Sequence, residues 1–416
     1  MAAPLKTAAS SASAFVPRAV FEVSSSITRS YFLGHHTAAL TSMRKVLSNI
    51  GLILECRDSR VPLTSANPLL ESSLAGRDRI IVYTKSDLCA PASSTRWLEK
   101  QQALLAQWHA HSHSGAEEES GGRVLGGVKG DAGEGGGKTE IVFTDERNPR
   151  TINRLLDAVK ERAAALDSLT GLRALVVGMP NAGKSTLLNA LRRVGMHLPK
   201  AARTGAQPGV TRKLSTPVRI VAAAPSLSPS SSSADAPSNH ALNYNTYEHD
   251  VGEGVFVVDT PGVFVPYVSD VESMLKLSLV GCVKDGLVPS ETVADYLLFL
   301  LNLRDPSLYA HLCATPTNDI HEFLDAVARR TGKLLKGGVL AQEQAADWVV
   351  QQWRKGHLGR FGLDDISEEA LRERARRLRD GGENKPLSMN QARKREKEAR
   401  KARNAAKRAS ALDSGS

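Results

Sequence analysis

Five apolar runs stand out along the first two thirds of the chain: "NIGLILEC" (49–56), "RIIVYT" (79–84), "EIVFT" (140–144), "RALVVG" (173–178) and "GVFVVD" (254–259). Each is short, rich in Val, Ile and Leu, and closed by a polar or glycine-bearing loop. Such runs predict strands buried on both faces of a parallel sheet. Amphipathic stretches at 37–48, 67–75, 93–110, 150–167 and 184–194 lie between them and predict helices. Strands alternating with helices imply a doubly wound, mostly parallel α/β sheet, with ligands held at the carboxyl ends of the strands. After Gly262 the strand pattern stops. "ESMLKLSLVG", "SETVADYLLFLLNL", "NDIHEFLDAVARR" and "AQEQAADWVVQQWRKG" repeat apolar positions near every 3.6 residues, so 266–360 is expected to be a small all-α domain.

Two low-complexity inserts, 111–138 and 222–250, interrupt the α/β region of 31–265 and have the composition of surface loops. His109, His111 and His113 lie at the first of these, and with no carboxylate or thiol framework nearby they read as solvated and not as metal ligands. The tail, 361–416, is basic and lacks an apolar face, as in "NQARKREKEARKARNAAKRA". The net charge of +10 points to a polyanionic partner, nucleic acid or an anionic membrane surface. No apolar run approaches the ~18–20 residues that span a bilayer. The four cysteines (Cys56, Cys89, Cys282, Cys313) are far apart, which predicts buried reduced thiols. Residues 1–30 are rich in Ala and Ser, carry Lys6, Arg18 and Arg29 with the single acid Glu22, and suit an organellar transit peptide or a disordered terminus.

The chemistry is concentrated in three short motifs. "LVVGMPNAGKSTLLNAL" is G-x-x-x-x-G-K-[ST] between an apolar strand and an amphipathic helix, the context that makes it a phosphate loop. Gly178 and Gly183 let the backbone N–H groups of the loop, Asn181 and Ala182 among them, face phosphate oxygens. Lys184 supplies a point charge to the β/γ oxygens, the Ser185 hydroxyl a ligand for Mg²⁺, and Thr186 continues the helix N-terminus. "VVDTPG" puts Asp259 at a strand end, where it can hold Mg²⁺ through water, and Gly262 offers an N–H to the γ-phosphate. "QPGVTRK" adds Thr211, a hydroxyl able to reach the metal when that phosphate is present. "TKSD" follows the strand "RIIVY": Asp87 can accept from both N1–H and N2–H of guanine, and Lys85 can brace the phosphate loop. The final base-contacting loop falls in "FTDERNP", at Thr144 and Asp145.

These motifs appear in an unusual order, with the base-reading loop ahead of the phosphate loop. That order is a circular permutation of a GTPase domain. It resembles the YlqF/RbgA family of circularly permuted GTPases, most closely its mitochondrial ribosome-associated GTPase 1 branch, over roughly residues 30–350 without the inserts. "YFLGHHTAALTSMRKVL" (31–47) is similar to the family's aromatic-Pro-Gly-His-Met opening, with Leu33 in place of proline. "ECRDSRVPLTSANP" (55–68) is similar to its D-A-R-x-P…N-P segment, with Ser59 for alanine. Thr84 stands where the base-reading motif usually has Asn, and loss of that amide is expected to remove a brace between loops.

The resemblance implies a GTPase that binds GTP and GDP with Mg²⁺ and acts in assembly of the mitochondrial large ribosomal subunit, bound to rRNA or the ribosomal particle. It also implies a monomer in the mitochondrial matrix, peripheral to the inner membrane in one version. Val263 and Phe264 occupy the place of the water-orienting glutamine of many GTPases and cannot hydrogen-bond water. By resemblance, Asn181 is the K⁺-binding asparagine of potassium-stimulated relatives and His35 the histidine that helps position water. Turnover is then expected to be slow alone and raised by K⁺ and the ribosome. Two other readings share these features: a permuted GTPase of cytosolic or nucleolar pre-ribosomes, and an RNA-binding scaffold with GTP as a structural ligand.

Overall fold

The computed structural model describes residues 15–23, 27, 34–90, 95–113, 137–166, 168–205, 207–211, 213–223, 253–268 and 270–379, with 391, 394, 397 and 398. Most of the two inserts and of the basic tail therefore lies outside the described residues. The chain divides into two compact units: 28–285 with 360–416, and 286–359 with 1–27. The division differs from the boundary expected near 265, because the first helix after the DTPG loop belongs with the sheet.

The larger unit is built on six strands: β1 (Leu52–Asp58), β2 (Arg79–Thr84), β3 (Thr139–Phe143), β4 (Leu172–Gly178), β5 (Val218–Val221) and β6 (Val255–Asp259). Their order across the sheet is β3-β2-β1-β4-β6-β5. All neighbours are parallel except β5, which pairs antiparallel with β6. The sequence pattern misses β5, a four-residue edge strand in "TPVRIVAAA" that is too short to show a period. Chain direction across the sheet reverses between β1 and β4, and the carboxyl ends flanking that switch point are where an open α/β sheet binds its ligand.

Helices cover both faces. α1 (Gly34–Val46) and α2 (Pro68–Ser73) pack on one side, where Ala39, Met43, Leu47, Leu70 and Leu74 meet Ile53, Leu175 and Val177. α4 (Pro149–Leu166) and α5 (Lys184–Met196) pack on the other, bringing Leu155, Val159, Leu187 and Leu191 against Leu52, Leu54, Ala174 and Val176. The two sets alternate along the strands, as a period of two requires. β1 also runs two residues beyond the apolar run that predicts it, through Arg57 and Asp58. The reason is a buried ion-pair network: Arg57 reaches Glu55 at 2.6 Å and Glu71 at 2.8 Å, and Arg79 reaches Glu55 at 3.2 Å. Paired charges tolerate burial that unpaired ones do not.

α3 (Thr95–His113) extends into the segment read as a solvated insert. His109 is buried on it, its Nε2 2.9 Å from the Tyr83 hydroxyl, so that the solvated reading of this histidine is corrected. The start of the basic tail is likewise structured. α10 (Glu368–Arg379) follows Ile366, and Ile366 and Leu371 join Leu63, Ile81, Tyr83, Leu104 and Leu105 in a core cluster. Asp364 accepts from Leu63 N (2.9 Å), Thr64 N (2.8 Å) and Thr64 Oγ1 (2.6 Å), which ties this segment to the loop after β1. α6 (Val271–Leu279) completes the unit, capped by Asp270, whose carboxylate accepts from Glu272 N and Ser273 N.

The smaller unit holds α7 (Ser290–Arg304), α8 (Ile320–Thr331) and α9 (Gln342–Arg354). Leu297, Leu301, Phe323, Val327, Val349 and Trp353 are buried within it. Residues 15–23, set apart by composition, pack on this unit through Arg18 and Phe21. All four cysteines are free and buried, and burial pushes the Cys56 thiol up to about 12, so it stays protonated at neutral pH. No described helix is long and apolar enough to cross a membrane.

Candidate nucleotide-binding site

The carboxyl ends of β1, β2, β4 and β6 deliver Asp58, Thr84, Gly178 and Asp259 to one edge of the sheet. β4 turns into the loop Met179–Gly183 before α5 begins at Lys184. Gly178 sits opposite Cys56 at a φ of 141°, and a Cβ there would lie 2.3 Å from the Cys56 carbonyl oxygen. Only glycine fits that approach. Lys184 is buried and donates to Met179 O at 2.7 Å and Gly178 O at 3.3 Å, so its ammonium lies within the curl of the loop. Burial lowers its pKa, against the raising pull of Asp259.

Three side-chain oxygen donors converge beside it. Ser185 Oγ is 2.5 Å from Asp259 Oδ2 and 3.1 Å from Thr211 Oγ1. The other Asp259 oxygen, Oδ1, is buried without a hydrogen-bond partner among the described residues. Burial lifts this carboxyl above its ordinary range, while the Ser185 hydroxyl and the Lys184 charge pull it down. A buried carboxylate oxygen without a partner, with two hydroxyls beside it, is a donor set suited to a hard divalent cation. Ser185, Thr211 and Asp259 are therefore brought together as a fit for Mg²⁺.

The base-reading loop is tied to the phosphate loop at two points. Lys85, at a left-handed φ of 56°, donates from Nζ to Asn181 O at 2.8 Å. Thr84 is buried and donates from Oγ1 to Ala182 O at 2.8 Å. The expectation that losing the usual Asn amide removes a brace is thus corrected: a hydroxyl on a shorter side chain makes the bridge, because Thr84 lies within contact of Gly183. A Cβ built on Gly183 would meet Thr84 Oγ1 at 3.2 Å. Asp87 is half-buried. Burial and the Asp145 charge raise its pKa, opposed by Arg147 and Arg360.

Thr144 and Asp145 do lie beside this loop, since Ser86 N donates to Thr144 O at 3.1 Å. Their own N–H groups are taken, by Tyr83 O at 2.8 Å and Thr151 Oγ1 at 3.0 Å. Asp145 Oδ1 turns back to Arg147 N at 2.8 Å. The charge of Asp145 lies next to Asp87.

Several residues that motif reading left without a role complete the edge. Asp58, fully buried, accepts from Lys85 Nζ at 2.8 Å and from Arg60 Nη2 at 2.8 Å. Burial opposes its ionisation, but the Arg60 and Lys85 charges prevail and hold the carboxyl well below the usual range. Gly262 packs on the phosphate loop, where an added Cβ would lie 2.5 Å from Pro180 Cα. The next residues are held from three sides: Val263 N donates to Gly178 O at 3.1 Å, Asn67 Nδ2 to Val263 O at 2.9 Å, and His36 Nδ1 lies 2.9 Å from Gly262 O. Val263 and Phe264 are buried, facing away from solvent. His36 is the neighbour of the expected His35, whose side chain lies outside the described residues. Asn181, at a φ of 55°, donates from Nδ2 to Gly281 O at 2.8 Å, linking the loop to the end of α6. Ala182, within the loop, is buried, and Thr186 lies on the first turn of α5.

The 50S ribosome-binding GTPase family matches residues 173–330. Mitochondrial GTPase 1 of Schizosaccharomyces pombe is 35% identical over 359 residues, covering 86% of this chain and 95% of that protein. Mitochondrial ribosome-associated GTPase 1 of Xenopus tropicalis is 27% identical over 352 residues, covering 80% and 94%. Among solved structures, GNP-bound YlqF from T. maritima aligns with a TM-score of 0.43 at 18% identity, covering 79% of this chain and 99% of that one. With the base-reading loop on β2, the phosphate loop after β4 and DTPG after β6, the chain belongs to the mitochondrial GTPase 1 family of circularly permuted GTPases.

Proposed function

We propose that this GTPase is an assembly factor of the mitochondrial large ribosomal subunit, binding the particle or its rRNA in a nucleotide-dependent way. The observation that carries this reading is the state of the DTPG loop. Gly262 lies on the phosphate loop, while the carbonyls of Gly262 and Val263 are held by His36 and Asn67 from two separate segments. A γ-phosphate contact at Gly262 would therefore be felt by α1 and by the loop before α2 at once, which is how a ligand shifts a two-state element. Names of relatives support the partner: one is ribosome-associated and the matching family is 50S ribosome-binding. The basic balance of the chain suits phosphate-backbone contacts that weaken with salt.

Hydrolysis is read as positioning and charge stabilisation. Lys184 and the loop N–H groups hold the phosphates, and Asp87 orients the base. Mg²⁺, held by Ser185 and Thr211 and through water by Asp259, would supply charge neutralisation on the phosphates. K⁺ at Asn181 and a water-positioning role for His35 belong to the same proposal, as do mitochondrial import by the N-terminal segment and slow turnover until the ribosomal particle is engaged.

Single-turnover GTP hydrolysis by the purified chain, in Na⁺ or K⁺ buffer and with or without mitochondrial large subunits, tests this. The expected result is a rate raised by both K⁺ and subunits, with particle binding stronger in a non-hydrolysable GTP analogue than in GDP. Equal particle binding in both nucleotides would refute nucleotide-dependent assembly.

A further inference from the structure

The described N-terminal residues make a specific set of contacts on the helical unit. The Arg18 guanidinium pairs with Asp295, Nη2 to Oδ1 at 2.5 Å and Nη1 to Oδ2 at 3.4 Å, with both side chains largely withdrawn from water (30% and 22% exposed). Asn318 reads the backbone beside it in both directions: its Oδ1 accepts from Arg18 N at 3.3 Å and its Nδ2 donates to Val16 O at 2.9 Å. Phe21 meets Tyr296 edge-on, ring centres 5.3 Å apart at 72°, and lies 5.6 Å from Phe299. The Arg18 guanidinium sits 5.6 Å from the Phe21 ring centre and 5.9 Å from that of Phe299. Val16 and Val20 point outward, 75% and 73% exposed. The segment is thus sorted by side: Arg18 and Phe21 face α7, and the residues beside them face solvent.

We propose that Val16–Phe21 is a permanent part of the helical unit, docked on Asp295, Tyr296, Phe299 and Asn318, and that proteolytic removal of the leader ends upstream of Val16. The composition of 1–30 marks one targeting segment, whereas the contacts divide it in two. A cut after Phe21 would uncover Tyr296 and Phe299, which are only 1% and 8% exposed with the segment in place. It would also leave Asp295, largely withdrawn from water, without its cation, and strip Asn318 of two backbone partners. The same residues therefore serve an unfolded precursor as basic, apolar leader and the folded protein as a structural strap.

Two experiments test this, and only the first depends on the mitochondrial reading above. The full-length chain is imported into isolated mitochondria and the N-terminus of the product is sequenced. A start at or before Val16 is expected, and a start beyond Val16 overturns the proposal. Independently, Arg18→Asp, Asp295→Arg and the double exchange are compared in the purified full-length chain. Each single variant is expected to lower the melting temperature by about 2–4 °C, and the exchange to recover it, with GTP affinity unchanged throughout. Single variants that melt like the parent overturn the docking. Failure of the function proposed above would show instead as nucleotide-independent particle binding by the parent chain, which neither readout measures.

Discussion

Thr84→Val removes one hydroxyl and almost nothing else. Valine has the shape of threonine, so no cavity opens at a site where the side chain is buried and in contact with the phosphate loop. The change deletes the 2.8 Å bond to Ala182 O and the longer 3.2 Å approach to Arg57 O. The net value of such a bond is about 1 kcal/mol, and a buried carbonyl left without a donor raises the total to about 1–3 kcal/mol. In a unit of this size each kcal/mol moves the melting temperature by about 2–4 °C. The bond also ties the base-reading loop to the phosphate loop. Without it, part of that ordering has to be supplied by binding, and a penalty of about 1.4 kcal/mol would weaken affinity tenfold. The assay is a pair of measurements on one preparation: thermal unfolding without nucleotide, and titration with a fluorescent GTP analogue. Lower stability together with weaker affinity is expected. Unchanged affinity in a destabilised protein would refute the idea that Thr84 organises the site, and no change in either would refute the bond.

Asp58→Asn should be more severe, since Arg60 is left buried without its counter-charge and Lys85 loses the charged one of its two acceptors; a loss of about 3–5 kcal/mol is expected by urea unfolding, together with weaker GTP binding. Because the folded Asp58 carboxyl is depressed, its stabilisation is present above the ordinary carboxylate pKa and is lost only as pH falls through its lower folded value, so the parent's stability should hold at mildly acidic pH. Asp87 runs the other way: in the base-reading role proposed for it the carboxylate must be ionised, and burial raises its pKa, so as pH is lowered GTP affinity should begin to weaken at a higher pH than an ordinary carboxylate would give, and a flat affinity–pH profile would contradict this. Asp364→Ala deprives Leu63 N and Thr64 N of their acceptor; a cost of about 2–3 kcal/mol and faster hydrogen exchange at those two amides are expected.

The ligand-facing half of the site was legible because its chemistry is local. A phosphate loop needs glycines, a lysine and a hydroxyl at fixed offsets, and a base-reading loop needs its carboxylate three residues after the threonine, so spacing alone singled out Lys184, Ser185, Asp259 and Asp87, which the fold brings to one edge of the sheet. The alternation of apolar runs likewise located five of six strands, since a buried parallel strand must be apolar on both faces. What local pattern did not reveal is everything held by partners distant in the chain. Charged Arg57 and Asp58 look like the end of a strand until Glu71 and Lys85 are brought to them from α2 and the loop after β2. Asn67 and His36 have no distinctive spacing relative to Gly262, some two hundred residues away, and gain their role only when the sheet folds them against it. Thr84 reads as a loss in sequence and becomes a bridge in space, because whether a hydroxyl or an amide spans a gap depends on the width of the gap. The same holds at the N-terminus, where composition suits a leader or a disordered terminus and the aromatic pair on α7 packs against Phe21. Sequence fixes which groups are available at short range; burial and approach distance, which decide what those groups do, exist only once the chain has closed on itself.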